Sequence, residues 1–350
     1  MNLTGRHYLT EREFSLAELH FLVDRALRLK KGSEKAELHR KVMAMLFFAP
    51  SLRTRTSFEA AMVRLGGHAI NLRVGEETYV FEHRDGVVMD GRTQEHVREA
   101  AKVISRYADV IGMRKCELIT TKSTSAEVSD SWEELKKDEF MHAFAEQATV
   151  PVISMESNAY HPCQGLADMV TLKEKLGDPR GKKYLFTWAY HPKSLPLATP
   201  HSQVLAACAM GMNVTVLAPE GWTLDPEVTA FAKKRAEEAG GGLRESHDQA
   251  EAYRGAHVVC CKSWGRIDHY GRFEEEAEKK KPFKGVWIVD GKKMARTDGA
   301  IFMHCLPVRR NVKVTDEVLD SKASVVIDQA ENRMWAQMAL LVSLVSGARA

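Results

Sequence analysis

The feature that most restricts what this chain can fold into is a repeated alternation of short apolar runs with stretches of helical periodicity. Residues 42–48 form an unbroken apolar run that ends just before Pro50. A run of that length and character reads as a strand covered on both faces, the condition of a parallel sheet. Residues 54–65 are helix-compatible and stop at Gly66-Gly67, a C-terminal cap signal. Ser15 caps an earlier helix whose apolar residues Leu16, Leu19, Leu22, Val23, Ala26 and Leu27 recur at helical spacing. Strands are predicted at 68–73, 110–114 and 150–156, with helices at 94–107 and 163–175. Residues 120–137, rich in Ser, Thr, Lys and acids, read as a solvated surface insertion.

The loop Gly177-Asp178-Pro179-Arg180-Gly181 is the natural domain boundary, because the alternation restarts beyond it. Strands are predicted at 183–190, 213–218, 258–262, 286–290, 302–306 and 325–328. Helices are predicted at 203–210 and 226–238, with a final one starting near Glu331. Gly240-Gly241-Gly242 reads as a helix-to-strand turn. The class is α/β, with two doubly wound parallel sheets covered on both faces. The first domain is expected over 1–176, with a C-terminal helix at 330–350 packing back on it, and the second over 177–329. A chain of 350 residues suits two such domains.

Charge and cysteine usage narrow the function classes. Fifty basic residues against 47 acidic ones leave a net charge of +3, which is no field for nucleic acid or membrane. Any anion must therefore be recognised locally. Residues 1–10 carry no basic segment followed by an apolar one, and no apolar run reaches bilayer-spanning length. The six cysteines show neither CxxC nor zinc spacing. The expectation is a cytoplasmic enzyme with reduced, buried thiols and no metal. No GxGxxG follows a strand, and residues 177–183 miss the P-loop spacing, so no nucleotide cofactor is indicated.

The strongest chemical signal is Pro50-Ser51-Leu52-Arg53-Thr54-Arg55-Thr56-Ser57-Phe58-Glu59, where a buried strand meets a helix N-terminus. Free N–H groups and the positive dipole end attract an anion there. Ser51, Thr54 and Thr56 add hydroxyls, and Arg53 adds a planar fork matched to phosphate oxygens. Arg114 ends one predicted strand and Glu156 another, with His161-Pro162-Cys163-Gln164 just after it, and His304-Cys305-Leu306-Pro307 closes a third. Open α/β sheets bind ligands at these carboxyl ends. A covalent route through Cys305 is not expected.

Ser51 to Glu59, His161 to Gln164 and His304 to Pro307 together resemble the three signatures of the aspartate/ornithine carbamoyltransferase superfamily, in that family's order and spacing. Phe47 to Pro50, Thr187 to Lys193, Lys262 to Gly265, Pro307 to Lys313 and Asp328 to Arg333 are similar to its N-acylornithine branch. The Asp-bearing loop of ordinary ornithine enzymes and the Lys-Gly-Glu stretch of aspartate enzymes are both absent.

The resemblance implies transfer of a carbamoyl group from carbamoyl phosphate to the side-chain amine of an N-acylornithine, as in arginine biosynthesis. It implies that Ser51, Leu52, Arg53, Thr54 and Arg333 bind the phosphate. Arg114 and His161 would hold the carbamoyl oxygen with help from Arg53 or Thr54, making these four the catalytic group. Gln164 and the carbonyls of Cys305 and Leu306 would accept from the carbamoyl amine. Tyr79, Gln94, Glu156, His191, Lys262, Leu306, Arg309 and Lys313 would contact the amino acid, while Arg55 braces Glu59 or a neighbour. Neither metal nor cofactor is implied. A homotrimer with shared active sites is implied, Tyr79 occupying the position of a residue inserted from a neighbouring subunit. So are a knot in the second domain and a CO2-derived carbamate on Lys313.

Gln94 departs from the branch, whose acetyl enzymes carry Glu and whose succinyl enzymes carry Pro at that position. Its length would crowd a longer acyl chain, so acetyl is the expected group. N-succinylornithine, free ornithine and a non-catalytic binding module of the same fold are the alternatives.

Overall fold

In a computed structural model, which describes residues 1–116 and 131–345, the chain divides into two compact units. The first comprises residues 1–166 and those from Arg333 on, and the second residues 167–332. The Gly177–Gly181 loop lies within the second.

The first unit opens with α1 (Leu16–Lys30). Its N-terminus is a reciprocal capping box: Glu18 N–H donates to Ser15 Oγ, and Ser15 N–H to the Glu18 carboxylate at 2.8 Å. There follow β1 (Val42–Phe47), α2 (Arg53–Arg64), β2 (His68–Arg73), the short strands β3 (Phe81–Glu82) and β4 (Glu95–His96), α3 (Val97–Tyr107) and β5 (Val110–Arg114). Then come α4 (Trp132–Leu135), α5 (Glu139–Gln147), β6 (Val152–Glu156) and the start of α6 (Pro162–Leu176). The sheet order is β2-β1-β5-β6, all parallel, with β3 and β4 paired separately. Both β5 and β6 are buried along their whole length, as their apolar sequences demand. Gly112 in β5 leaves room for its neighbours, since a Cβ there would meet Met43 Cε at 2.5 Å and Met155 Sδ at 3.0 Å. Leu46, Ile111, Met113, Val97, Phe144 and Val152 belong to the core of this unit.

The second unit continues with β7 (Lys183–Trp188), α7 (Ala198–Ala209), β8 (Asn213–Leu217), α8 (Pro226–Glu238), β9 (Gly242–Ser246), α9 (Gln249–Ala252) and β10 (Val258–Lys262). It is completed by α10 (Phe273–Lys280), α11 (Gly291–Met294), β11 (Ile301–Met303), α12 (Asp316–Leu319) and the first turns of α13 (Val326–Val345). Its sheet order is β11-β10-β7-β8-β9, again parallel throughout. Doubly wound α/β architecture is thus the observed class.

Several expected elements differ. Residues 286–290 are not a strand; only Val289 bridges, to Val314. Trp287 instead packs edge-on against Trp188 and Phe283, so the run serves an aromatic cluster rather than a ladder. Residues 325–328 open α13, with Gln329 N–H donating to Val325 O at 2.9 Å; a short apolar run does not distinguish a strand from a buried helical turn. The helix expected from residue 94 begins at Val97, because Gln94 N–H pairs with Val80 O and starts the β3–β4 ladder. Helix α7 starts five residues early and tolerates Pro200 in its first turn. Of the expected surface insertion, residues 120–130 lie outside the described residues; in the remainder Ser131, Glu133, Glu134 and Lys137 are exposed, while Trp132 and Leu135 are buried beneath them.

Candidate active site

Each sheet reverses its winding once. In the first, the chain runs outward from β1 to β2 and then to the opposite side through β5. The carboxyl ends of β1 and β5 therefore bound a crevice of the kind that takes ligands in open α/β sheets. Phe47 and Arg114 are paired in register there, and Phe48 N–H donates to Arg114 O at 3.0 Å.

The turn out of β1 leads into α2. Ser51 Oγ accepts from Thr54 N–H at 3.3 Å, and Leu52 is 71% exposed at the helix entry. Thr54 is buried, and its hydroxyl accepts from Arg333 Nη2 at 2.7 Å. Arg333, on the part of α13 that belongs to this unit, thus delivers a second guanidinium to the N-terminal end of α2. Arg55 lies over the Phe47 ring, 4.9 Å from its centroid, so the neighbour it braces is aromatic. Glu59 is engaged instead by Asn71 Nδ2 at 3.2 Å.

Arg114 is buried and held from two directions. Its Nη1 donates to the carbonyls of Ala49 (3.3 Å) and Pro50 (3.0 Å), and its Nη2 donates to Glu156 Oε2 at 2.6 Å. Its Nε is buried without a hydrogen-bond partner among the described residues. His161 Nε2 lies 4.0 Å from the same Glu156 oxygen. Gln164 is buried one turn into α6, its N–H donating to His161 O at 2.9 Å. One carboxylate among several donors, at a helix N-terminus, is chemistry able to receive a phosphate and a carbonyl oxygen gaining charge. Cys163 nearby is inert, as burial pushes its thiol up to about 12.

The second unit has its own strand-end group. Its winding reverses between β7 and β10, whose last residues Trp188 and Lys262 are in register, and Ala189 N–H donates to Lys262 O at 2.9 Å. His191 follows β7. Its Nδ1 lies 3.0 Å from Lys193 O and 3.1 Å from Lys193 N, so the Lys193 backbone fixes the orientation of the ring. Burial holds its pKa down to about 4, assisted by Lys313, Arg309 and Lys280. Lys313 is also buried; burial first, then Lys262 and Arg309, lower its ammonium to about 7. His191, Lys262, Arg309 and Lys313 therefore share one cationic field, suited to a carboxylate. Arg310 is elsewhere, paired with Asp316 and Asp320 at 2.6–2.7 Å. Cys305 is buried, Leu306 half-buried, and the Leu306–Pro307 peptide is cis.

Tyr79 and Gln94 are exposed in the single chain and flank the β3–β4 pairing, with Tyr79 62% exposed. Glu156, expected among the amino-acid contacts, is paired through Oε2 with Arg114.

Sequence reasoning assigned no role to Asp168, which accepts from Gln203 Nε2 (2.8 Å) and Gln329 Nε2 (2.7 Å), while Gln329 Oε1 takes His304 N–H at 3.0 Å. A carboxylate on one side and an N–H on the other leave that Gln329 amide a single orientation. The signal available was Gln329's place inside the Asp328 to Arg333 segment. Among the described residues no cluster of His, Cys, Asp and Glu could hold a metal, and no helix is long and apolar enough to cross a membrane.

Comparison with known proteins bears on this geometry. Residues 6–174 match the aspartate/ornithine carbamoyltransferase carbamoyl-P binding domain, and residues 198–344 match the Asp/Orn binding domain. The chain is 43% identical over 350 residues to N-acetylornithine carbamoyltransferase of Xanthomonas campestris pv. campestris, covering 98% of this chain and 99% of that one. It is 33% identical over 336 residues to N-succinylornithine carbamoyltransferase of Bacteroides thetaiotaomicron, covering 95% and 96%. Among solved structures, acetylornithine transcarbamylase complexed with acetylcitrulline matches with a TM-score of 0.91 and 42% identity, over 97% of this chain and 99% of that one.

Proposed function

This chain belongs to the aspartate/ornithine carbamoyltransferase family, and we propose that it carbamoylates the side-chain amine of N-acetyl-L-ornithine. Carbamoyl phosphate is the donor, N-acetyl-L-citrulline and phosphate are the products, and the reaction belongs to arginine biosynthesis. The observation that carries the chemistry is Arg114, buried at the winding reversal beside the N-terminal end of α2, with His161 close to its Glu156 partner. The acceptor reading is supported by identity to the N-acetylornithine enzyme exceeding that to the N-succinylornithine enzyme, 43% against 33%.

In this reading Ser51, Leu52, Arg53, Thr54 and Arg333 bind the phosphate. Arg114 and His161 donate to the carbamoyl oxygen, where charge develops as the neutral amine attacks the carbonyl carbon. Gln164 and the carbonyls of Cys305 and Leu306 accept from the carbamoyl amine. The carbon–oxygen bond to phosphate then breaks, and the amine's proton passes to the departing phosphate. Positioning and oxyanion stabilisation provide the acceleration, with no covalent intermediate. Glu156 orients Arg114 and His161. His191, Lys262, Arg309 and Lys313 receive the acylated amino acid, and Tyr79 and Gln94 complete the acyl pocket of a neighbouring subunit in a homotrimer. Their exposure in the single chain supports that role.

The test is product formation from carbamoyl phosphate with N-acetylornithine, N-succinylornithine and ornithine. Turnover with N-acetylornithine as best acceptor is expected. No turnover with any of the three overturns the enzyme reading, and preference for another acceptor overturns the acetyl assignment alone.

A further inference from the structure

We infer that Asp138 is a positioning residue for His161, its carboxylate clamping the Ser157–Tyr160 turn that carries the chain from β6 into α6. Ser157 Oγ donates to Asp138 Oδ2 at 2.5 Å, Asn158 N–H to Oδ1 at 2.8 Å, and Ala159 N–H to Oδ2 at 3.3 Å. The turn also closes on itself, with Ser157 N–H donating to Tyr160 O at 2.8 Å and Tyr160 N–H to Ser157 Oγ at 3.1 Å. Immediately before this turn stands Glu156, the partner of Arg114; immediately after it stands His161. The clamp therefore fixes the span between two groups of the carbamoyl half-site.

The backbone of Asp138 supplies a second observation. It occupies the N-cap position of α5 in the left-handed region, φ 47° and ψ 39°, and makes no side-chain cap to that helix. An N-cap residue ordinarily sits in the extended region and caps its own helix. Here the backbone is turned so that the carboxylate serves the neighbouring turn instead, the kind of local strain that marks functional segments. Aspartate and asparagine are the side chains that best tolerate this conformation. Asp138→Asn therefore keeps the backbone but replaces one acceptor oxygen with a donor facing a donor.

The groups around the carboxylate are His142 on α5 and Tyr160 in the turn, with Arg12 donating to Tyr160 Oη at 2.7 Å and Glu11 beyond it. Burial raises the carboxyl to about 6, against the pull of the three donors and of His142. The clamp is complete when the group is ionised and loses an acceptor site when it is protonated.

The role assigned to Asp138 rests on the carbamoyltransferase reading, so its test includes a measurement independent of turnover. Steady-state rates as a function of pH, and amide hydrogen exchange across residues 157–161, are measured on the full chain for wild type, Asp138→Asn, Ser157→Ala and the double variant. For Asp138→Asn a kcat about tenfold to a hundredfold lower at mildly alkaline pH is expected, as for a catalytic group displaced by a fraction of an ångström to an ångström. KM for carbamoyl phosphate should change little. The acid limb near pH 6 should be present in wild type and absent from Asp138→Asn, and the Asn158 and Ala159 amides should exchange faster. The double variant should be no slower than the slower single one. Wild-type kcat, a retained acid limb, or effects of the two substitutions that multiply would each overturn the clamp. A wild type without carbamoyl transfer would overturn the functional reading instead, while unchanged exchange at Asn158 and Ala159 would still refute the clamp.

Discussion

Arg114 Nη2 and Glu156 Oε2 stand 2.6 Å apart as a buried ion pair at the ends of adjacent parallel strands, and they face each other because the β5–β6 register shifts there. Met113 pairs with Ser154, yet Arg114 pairs with Glu156, so Met155 is skipped. Because side chains alternate along a strand, a shift of one residue decides which side chain meets the arginine. Here it brings a carboxylate to the guanidinium.

Removing that carboxylate leaves Arg114 buried with only carbonyl partners on its other nitrogen. Glu156→Ala should cost about 3–5 kcal/mol of stability, the usual penalty for leaving one member of a buried pair uncompensated. Urea unfolding measures it. A loss below about 1 kcal/mol would mean that water or another group takes over the arginine.

Arg53 combines a guanidinium with the first turn of α2. Arg53→Ala should lose about 2–4 kcal/mol of transition-state stabilisation, read as a fall in kcat/KM. Wild-type kcat/KM in the folded variant would remove Arg53 from the site.

Lys313 should give a pH signature of definite sign. Its folded pKa of about 7 lies below the ordinary lysine value, so the unfolded chain binds more protons between about pH 7 and 10.5. Stability from this group therefore rises with pH across that window, and the cost of burying the ammonium is fully present below it. Lys313→Met should abolish that rise in chemical denaturation. A depressed pKa also supplies free amine at neutral pH, so bicarbonate should convert Lys313 to a carbamate, visible by native mass spectrometry. An unmodified lysine under bicarbonate would dismiss the carbamate and leave the titration prediction standing.

Gln94 carries the specificity prediction. Gln94→Pro should shift preference toward N-succinylornithine by clearing the end of the acyl pocket. Gln94→Glu should deepen discrimination against it through like-charge repulsion, on the order of a few kcal/mol in a desolvated site. The kcat/KM values of the three proteins for both acceptors decide it. No shift in either variant would place Gln94 outside the pocket.

The exposure of Tyr79 leads to a complementation experiment. Tyr79→Ala and Arg53→Ala subunits, each impaired alone, should regain activity when dissociated and reassembled together, since some sites then receive both native residues. Mixed oligomers without recovered activity would show that Tyr79 serves its own subunit or none.

Local sequence determined the elements whose cause is local. The apolar runs that became β1, β5 and β6 have the length and flanking turn residues of strands in a covered parallel sheet. A polar, arginine-bearing segment directly after β1 could only begin a helix with its N-terminal groups at the strand's carboxyl end. The bounds of β2, β5 and α8 match the expected ones because hydrophobic period and flanking turn residues agree there. Tertiary structure decided what depends on partners remote in sequence. Residues 286–290 and 325–328 carry the same apolar signal as true strands, but neighbouring aromatic packing claims one and helix α13 the other. No spacing rule pairs Arg114 with Glu156 instead of Met155, because the register shift belongs to the ladder and not to either strand. Lys313 reads as one cation in a basic loop; only burial beside Lys262 and Arg309 lowers its pKa to the neutral range. Asp138 directly follows a stretch whose composition suggests solvent, and its carboxylate is removed from water only by folding against the Ser157–Tyr160 turn. Strand and helix formation follow from nearest neighbours along the chain, whereas desolvation and pairing of charge exist only once distant segments have closed around them.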